Sequence, residues 1–457
     1  MRAPLMPINA MPRQCDQEPR MWSYYPDLLA RPVPRYTSYP TAMEFTGEVG
    51  ADDHAQALDR VTAATPISLY VHIPFCEQIC WYCGCNTGAA GRKQRLADYL
   101  AALRAEVALV AKRLGGRGRV QRIAFGGGSP NAIAPVELVR LLDRILTVFD
   151  CHRPEISIEL DPRGLDAEWA LVLAAARVTR VSLGVQTFAP HVQQAIGRIQ
   201  PLSHIERVVA ALRLRDIDAI NFDLMYGLPG QRLEDLDATL DETIRLAPSR
   251  IALFGYAHLP DMIPRQRQID GVMLPDQRLR FDQAELGYRR LTAAGYHPVG
   301  FDHFARGDDP LAVAAREGRV SRNFQGFTED MAPVLLGFGA SAISRFPDLL
   351  VQNEKRPGPY RDMVGGGRLA TARGIAVTDA ERLRGAHICD LLCRGRTSVG
   401  PALQSAVRAA MADYERYGIV EWAGNDLVIR DDGLPYARHV AAQFDSARGP
   451  IRSVDAL

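Results

Sequence analysis

Four of the eight cysteines in this 457-residue chain fall inside one short stretch, CEQICWYCGC, as Cys76, Cys80, Cys83 and Cys85. Thiols so close together can pair as disulfides, hold a metal or carry electrons. The opening residues, MRAPLMPINAMPRQCDQEPR, lack the apolar core of a signal peptide, so the sequence predicts a cytoplasmic protein whose thiols stay reduced. A structural zinc site pairs two short knuckles across a longer loop, and no second knuckle follows here. The order C-x3-C-x2-C-x-C also fits neither of the usual ferredoxin spacings. Three ligands on one loop, with a fourth thiol too near along the chain, instead suggest a cluster held by three cysteines with one iron open. Such an iron can bind a substrate or cofactor directly.

A loop of this kind needs rigid elements beside it. The β-rich run ISLYVHI (67–73) leads into it, and Leu96, Leu100, Leu103, Val107 and Val110 mark one face of a helix beyond it. Further strand-like runs follow at VQRIAFG (120–126), EISIEL (155–160), RVSLGVQ (180–186), AINFDLMYG (219–227) and RIALFGYA (250–257), with helix-length amphipathic segments between them. Such alternation implies parallel strands with crossover helices: an α/β fold, either an open sheet or a full or partial barrel. The near-continuous apolar runs predict strands buried on both faces. In each of these architectures chemistry gathers at the strand C-terminal ends. There the runs meet the cysteine loop, GGGSP, Glu159 and Asp161, Gln186, Asp223 and YAHLP, all along one edge.

Composition sets outer bounds. With 47% apolar residues, 23% charged residues and 54 basic against 53 acidic side chains, the chain reads as a globular protein. It does not read as a general binder of nucleic acid or anionic membrane. No stretch is apolar for long enough to cross a bilayer. Residues 1–50, which contain PRYTSYPTA (34–42), read as an N-terminal arm, residues 51–360 as the α/β body and residues 361–457 as a small, mostly helical, winged-helix-like C-terminal domain with a short β segment. Cys389 and Cys393, one helical turn apart, read as core packing.

The motif C-x3-C-x2-C resembles the signature of the radical S-adenosylmethionine (radical SAM) enzymes. LYVHIPFC, CGC, GGGSP, IELDPR, GVQTF, DLMYGLPGQ, YAHLP, DHFA, RNFQGF and PRYTSYPTA, in that family's order from about Pro34 to Cys393, are together similar to oxygen-independent coproporphyrinogen III oxidase. The resemblance implies a three-quarter, six-stranded TIM-like radical SAM barrel, a [4Fe-4S] cluster and two molecules of S-adenosyl-L-methionine. Cys76, Cys80 and Cys83 would ligate the cluster, and Cys85 would not. Tyr70, Tyr82, Gly127, Gly128, Ser129, Glu159, Gln186, Arg198, Asp223, Ala257 and Ile343 match cofactor-contacting positions.

The implied reaction turns two propionate side chains of coproporphyrinogen III into vinyl groups, with loss of carbon dioxide, through a 5′-deoxyadenosyl radical. It requires an electron donor such as flavodoxin or ferredoxin and an electron acceptor that the sequence does not name. A monomer is expected. Arg35, Arg198 and Arg322 are candidates for the substrate carboxylates by charge alone, and His72, His258 and His303 receive no catalytic role. Departures from the family pattern are slight: Ser129 stands where Thr is usual, Gly255 where Asn is common and Gly307 where Pro is usual. A heme chaperone and a heme-degrading radical SAM methyltransferase of the same family are the alternatives. Cys85 and the PRYTSYPTA arm argue against the chaperone, and the arm and RNFQGF against the methyltransferase.

Overall fold

Strand β1 (Pro66–Ile73) carries Ile67, Leu69, Val71 and Ile73 on one side, all at most 1% exposed, and Tyr70 half-buried on the other. That alternation recurs through much of β2 (Arg119–Gly127), β3 (Cys151–Leu160), β4 (Arg180–Gln186) and β5 (Ile220–Tyr226), whereas β6 (Arg250–Gly255) buries Ile251, Ala252 and Leu253 in a row. Each lies parallel to the strand before it. The chain returns between strands through α1 (Lys93–Leu114), α2 (Pro135–Val148), α3 (Ala167–Ala175), α4 (Leu202–Arg213) and α5 (Leu233–Leu246). On α1 the side chains of Leu100, Leu103, Val107 and Val110 are buried against the sheet, as their spacing predicts. This computed structural model describes residues 21–448 except 32 and 92; the first part of the expected arm, residues 1–20, lies outside the described residues.

The sheet is an open barrel. After β6, helix α6 (Gln277–Ala293) precedes β7 (His297–Val299) and β8 (His303–Ala305), and β8 pairs antiparallel with β6. On the other flank β9 (Val334–Phe338) joins β1 in parallel and leads into antiparallel β10 (Ile343–Phe346), β11 (Leu349–Asn353) and β12 (Thr371–Ala376). The twelve strands end at β7 and β12, which do not pair, so the barrel stays incomplete.

One expectation needs correction. Strands buried on both faces were predicted, but β4 and β5 alternate buried and half-buried residues. The physical reason is the chamber inside the partial barrel. The outward faces pack under the helices, whereas the inward faces carry Ser182, Asn221, Asp223 and Glu159 into space that water reaches.

A second core forms beyond the barrel. Helix α7 (Asp379–Arg394), helix α8 (Pro401–Arg416) and a three-stranded antiparallel sheet, 396–398, 420–423 and 426–429, pack Ile388, Leu391, Met411, Tyr414 and Tyr436 together. Trp22, Leu28, Leu29 and Tyr36 of the arm belong to the same core. Cys389 and Cys393 lie within or against it, their Sγ atoms 3.7 Å apart.

Candidate active site

β1 delivers the cysteine loop to the barrel mouth. Phe75–Cys76 pairs with Gly88–Ala89, so the loop leaves and re-enters on neighbouring strands. Its middle is anchored from two sides. The Trp81 amide donates to the Ile196 carbonyl at 3.1 Å, and the Trp81 ring covers Gly197, which has φ +65° and where a Cβ would come within 2.8 Å of that ring. Gln266 Nε2 donates to the Tyr82 carbonyl at 2.8 Å, and Arg265 holds the Thr87 hydroxyl and carbonyl.

Positive charge surrounds the thiols. Cys80, 6% exposed, accepts from Arg163 Nη2 and Arg198 Nη1, each at 3.2 Å. Cys83 accepts from the Cys85 amide at 3.4 Å, and with the Cys85 thiol as the main cause its own thiol is pulled down to about 6. Cys76 goes the other way, pushed up to about 12 by burial and by the neighbouring Cys83 and Cys80. A buried thiol crowded by two others becomes a stable thiolate when a cation joins it.

The described cysteines are all free. Among the described residues no three His, Cys, Asp or Glu side chains converge on a single-ion site. Cluster ligands need not do so, because each thiolate binds a different iron. Three free thiols on one loop, with guanidinium and N–H donors to sulfur, fit an iron–sulfur cluster.

The GGG of GGGSP serves packing first. A Cβ at Gly128 would lie 2.5 Å from the Phe75 carbonyl oxygen, one at Gly127 (φ +110°) 2.5 Å from the His72 ring, and one at Gly126 2.5 Å from the Glu159 carboxylate. The amides of Gly128 and Ser129 donate to Ile73 O at 2.9 Å and Phe75 O at 2.7 Å, so they hold the root of the cysteine loop. The buried Ser129 hydroxyl pairs with Asn131 Oδ1 and accepts from the Asp161 amide at 3.0 Å, linking β2 to β3.

Inside the mouth stand the acids. Glu159 accepts from the Gly127 amide at 3.3 Å, and burial with the nearby Asp223 carboxylate pushes it up to about 7. Asp223 accepts from Ser182 Oγ and Asn221 Nδ2, each at 2.9 Å, and burial raises it too. Gln186 ends β4 with φ +66° at an irregularity in the ladder. The Tyr70 hydroxyl meets His72 Nδ1 at 3.1 Å; burial lowers His72 to about 4, so it is neutral. Tyr82 packs against the small cluster of Val192, Ile196 and Tyr256, the Ala257 carbonyl accepts from Gln266 at 3.1 Å, and Ile343 opens β10.

Arg198 is committed. It is 5% exposed, grips the Gly184 carbonyl, and binds Asp161 through Nη2 at 3.1 Å and Nη1 at 3.3 Å. Against the effect of burial, Arg198 and Arg163 hold the Asp161 carboxyl below the usual carboxylate range. The Arg163–Asp161–Arg198 bridge on Cys80 is a feature the residue-by-residue reading missed, although IELDPR contained two of its members. Arg35 and Arg322 lie elsewhere, on a shared cavity beyond β5 and β6 with Arg438, which no motif marks.

A partial α/β barrel carrying three free thiols on the loop after its first strand defines the radical SAM class, and residues 70–243 match the Radical SAM superfamily. The chain is 43% identical over 430 residues to an oxygen-independent coproporphyrinogen III oxidase of Bradyrhizobium diazoefficiens, covering 92% of this chain and 95% of the relative. It is 39% identical over 369 residues to the Escherichia coli K12 enzyme of that name, covering 80% of each. The solved coproporphyrinogen III oxidase (HemN) from Escherichia coli superposes with a TM-score of 0.87 at 34% identity, over 94% of this chain and 100% of that one. The chain belongs to the oxygen-independent coproporphyrinogen III oxidase family. Its cofactors are a [4Fe-4S] cluster and S-adenosylmethionine.

Proposed function

We propose that the protein oxidatively decarboxylates two propionate side chains of coproporphyrinogen III to vinyl groups, giving protoporphyrinogen IX in heme biosynthesis without oxygen. One observation carries this reading. The thiol loop and an arginine-lined cavity lie on the same end of one partial barrel, so a tetracarboxylate can sit where a radical is generated. When bound, the cluster and S-adenosylmethionine supply the 5′-deoxyadenosyl radical that removes hydrogen from a propionate β-carbon. Carbon dioxide then leaves, and one electron passes to an acceptor for each vinyl group formed.

The protein's own part is to bind, orient and exclude water. Cys76, Cys80 and Cys83 hold the cluster, with Arg163 and Arg198 offsetting thiolate charge at Cys80. Tyr70, Tyr82, Gly127, Gly128, Gln186, Ala257 and Ile343 would hold two S-adenosylmethionine molecules, and Glu159 and Asp223 would accept from their ammonium and ribose groups. Ser129 and Arg198 act through the walls they brace, the GGGSP turn and Asp161. Residues 1–50 act as arm, 51–360 as barrel and extension, and 361–457 as the C-terminal domain. The protein works as a cytoplasmic monomer fed by a flavodoxin or ferredoxin. No helix of the described residues is long and apolar enough to cross a membrane.

The test is anaerobic reconstitution with S-adenosylmethionine, reductant, an electron acceptor and coproporphyrinogen III, followed by mass spectrometry of the porphyrins. Loss of two carbon dioxide units per ring, in step with deoxyadenosine, is expected. Deoxyadenosine formation by cluster-replete protein with the tetracarboxylate unchanged would overturn the reading.

A further inference from the structure

The cavity beyond β5 and β6 holds about 120 Å³ and is lined by Tyr226 and Gly255 from the ends of those strands, by Asp302, and by three arginines from three distant parts of the chain. Arg35 belongs to the arm, Arg322 to the short strand Ser321–Asn323 and Arg438 to the helix Ala437–Ala442. Three guanidiniums thus meet one carboxylate, and Asp302 is already engaged by His303 Nδ1 at 2.7 Å. Gathered like charges repel one another, and an anion that joins them relieves that repulsion.

The donors are not consumed within the protein. Arg322 gives Nε to the Tyr36 carbonyl at 2.9 Å, and its buried Nη1 has no partner. The same guanidinium lies 4.5 Å from the Phe327 ring centre and 5.1 Å from that of Phe301, while Arg438 lies 5.3 Å from Phe301. Aromatic faces hold a guanidinium in place and leave its edge donors free. Arg35, at the exposed rim, spends only Nη2, on the Gly255 carbonyl at 3.3 Å. Burial, with Arg35 and Arg322 nearby, pushes Arg438 down to about 10, which marks the same uncompensated charge.

Chain ends hold the site together. Tyr36 and Tyr39 of the arm both donate to Asp445, each at 3.1 Å, the Tyr436 hydroxyl donates to the Ser23 carbonyl at 2.8 Å, and His439 Nε2 donates to the Arg31 carbonyl at 3.1 Å. The contacts bracket Arg35 on one side and Arg438 on the other, so neither is positioned until arm and C-terminal segment dock.

We infer that Arg35, Arg322 and Arg438 form a carboxylate subsite, completed by the docked chain ends, that grips a substrate propionate while another propionate faces the radical. This deepens the proposed function and rests on it for the identity of the carboxylate. Arg438 is a substrate-binding residue under this inference, and the C-terminal segment is part of the active site.

The test uses the reconstituted holoenzyme and two probes, coproporphyrin III and its tetramethyl ester, which keeps the ring and loses the charges. Fluorescence quenching gives their dissociation constants for wild type, Arg438→Gln, Arg322→Gln and Arg438→Lys; iron content, the melting midpoint and S-adenosylmethionine affinity are measured alongside. Each Gln variant is expected to weaken coproporphyrin III binding by about tenfold or more, leaving the already weak ester binding and the S-adenosylmethionine affinity unchanged. Arg438→Lys retains binding within about threefold, because it keeps the charge and loses only the fork. The KM for coproporphyrinogen III rises in parallel.

Coproporphyrin III affinity within twofold of wild type in Arg438→Gln, or equal loss for acid and ester, would overturn the subsite. Because binding is read apart from turnover, a wild type that binds the acid through Arg438 but does not decarboxylate would sink the proposed function and leave the subsite standing. Should Arg438→Gln melt early, the acid-to-ester affinity ratio in Arg322→Gln decides: a ratio that falls by about tenfold supports the subsite, and an unchanged one refutes it.

Discussion

The barrel carries an arginine cluster at each end, and the two are built on opposite principles. At the base Arg122, Arg180 and Arg250 meet Glu155, Asp309 and Glu329 through pairs of 2.7 to 3.2 Å. At the mouth Arg35, Arg322 and Arg438 face Asp302 alone. Both ends enclose space, about 140 Å³ at the base and about 120 Å³ at the mouth, so volume does not separate them. Charge balance does. Matched ions close the bottom of the barrel, and an excess of cations leaves the top ready for a carboxylate.

Breaking the base should have the largest effect on stability. Asp309, 5% exposed, accepts from Arg250, pairs with Arg180 and caps the Leu311 amide at 2.9 Å. Asp309→Ala leaves the Arg180 guanidinium without a carboxylate and Arg250 with Glu329 alone, and is expected to cost about 3–5 kcal/mol in denaturant unfolding. The same measurement on Arg438→Gln should show little loss, because that variant removes an excess charge; a comparable loss at both ends would dissolve the contrast.

Two buried acids sharpen it further. Glu106 lies behind the barrel, 3% exposed, and accepts from Gly339 N at 2.7 Å, Asn353 Nδ2 at 2.6 Å and Tyr360 Oη at 2.7 Å. Burial nevertheless pushes it up to about 7 from 4.5. The folded chain therefore holds a proton that the unfolded chain releases between those values. Its contribution to stability is full below about pH 4.5 and falls as pH rises through about 7, by roughly 3 kcal/mol in all. In Glu106→Gln that fall should disappear from the pH dependence of urea unfolding.

Glu159, also raised to about 7, faces the mouth instead. Its ionised form suits a cationic cofactor, so S-adenosylmethionine affinity of the cluster-loaded protein should weaken by about tenfold as pH drops from 8 to 6, and calorimetry on Glu159→Gln should find that dependence flattened. Salt gives the smallest effect. Coproporphyrin III binding at the rim should weaken a few-fold between 0.05 and 0.5 M NaCl, while ester binding stays level.

Much of this was legible in the sequence. The six parallel strands lie where their β-branched runs predict, the cysteine loop follows the first of them, and the polar ends of the runs share one edge, because period and apolar content are local properties of the chain. What the strand pattern missed was the inside of the barrel. Ser182, Asn221 and Asp223 alternate with apolar residues in strands that read as continuous. Long-range convergence was also beyond reach. Arg163 sat in a recognised motif without its role at Cys80, and Arg438 carries no motif at all. It comes to the mouth only because Tyr436 and His439 tie the C-terminal segment to the arm, across 413 and 408 residues of chain.

The central claim is that the mouth brings a propionate of a tetracarboxylate tetrapyrrole to a deoxyadenosyl radical. Coproporphyrinogen III deuterated at its propionate β-carbons tests it most directly, with mass spectrometry of the deoxyadenosine formed in single-turnover reactions. Deuterium in deoxyadenosine, matched to carbon dioxide lost from the ring, is the predicted result. Unlabelled deoxyadenosine with the substrate recovered intact, from protein whose cluster is complete, would contradict the account.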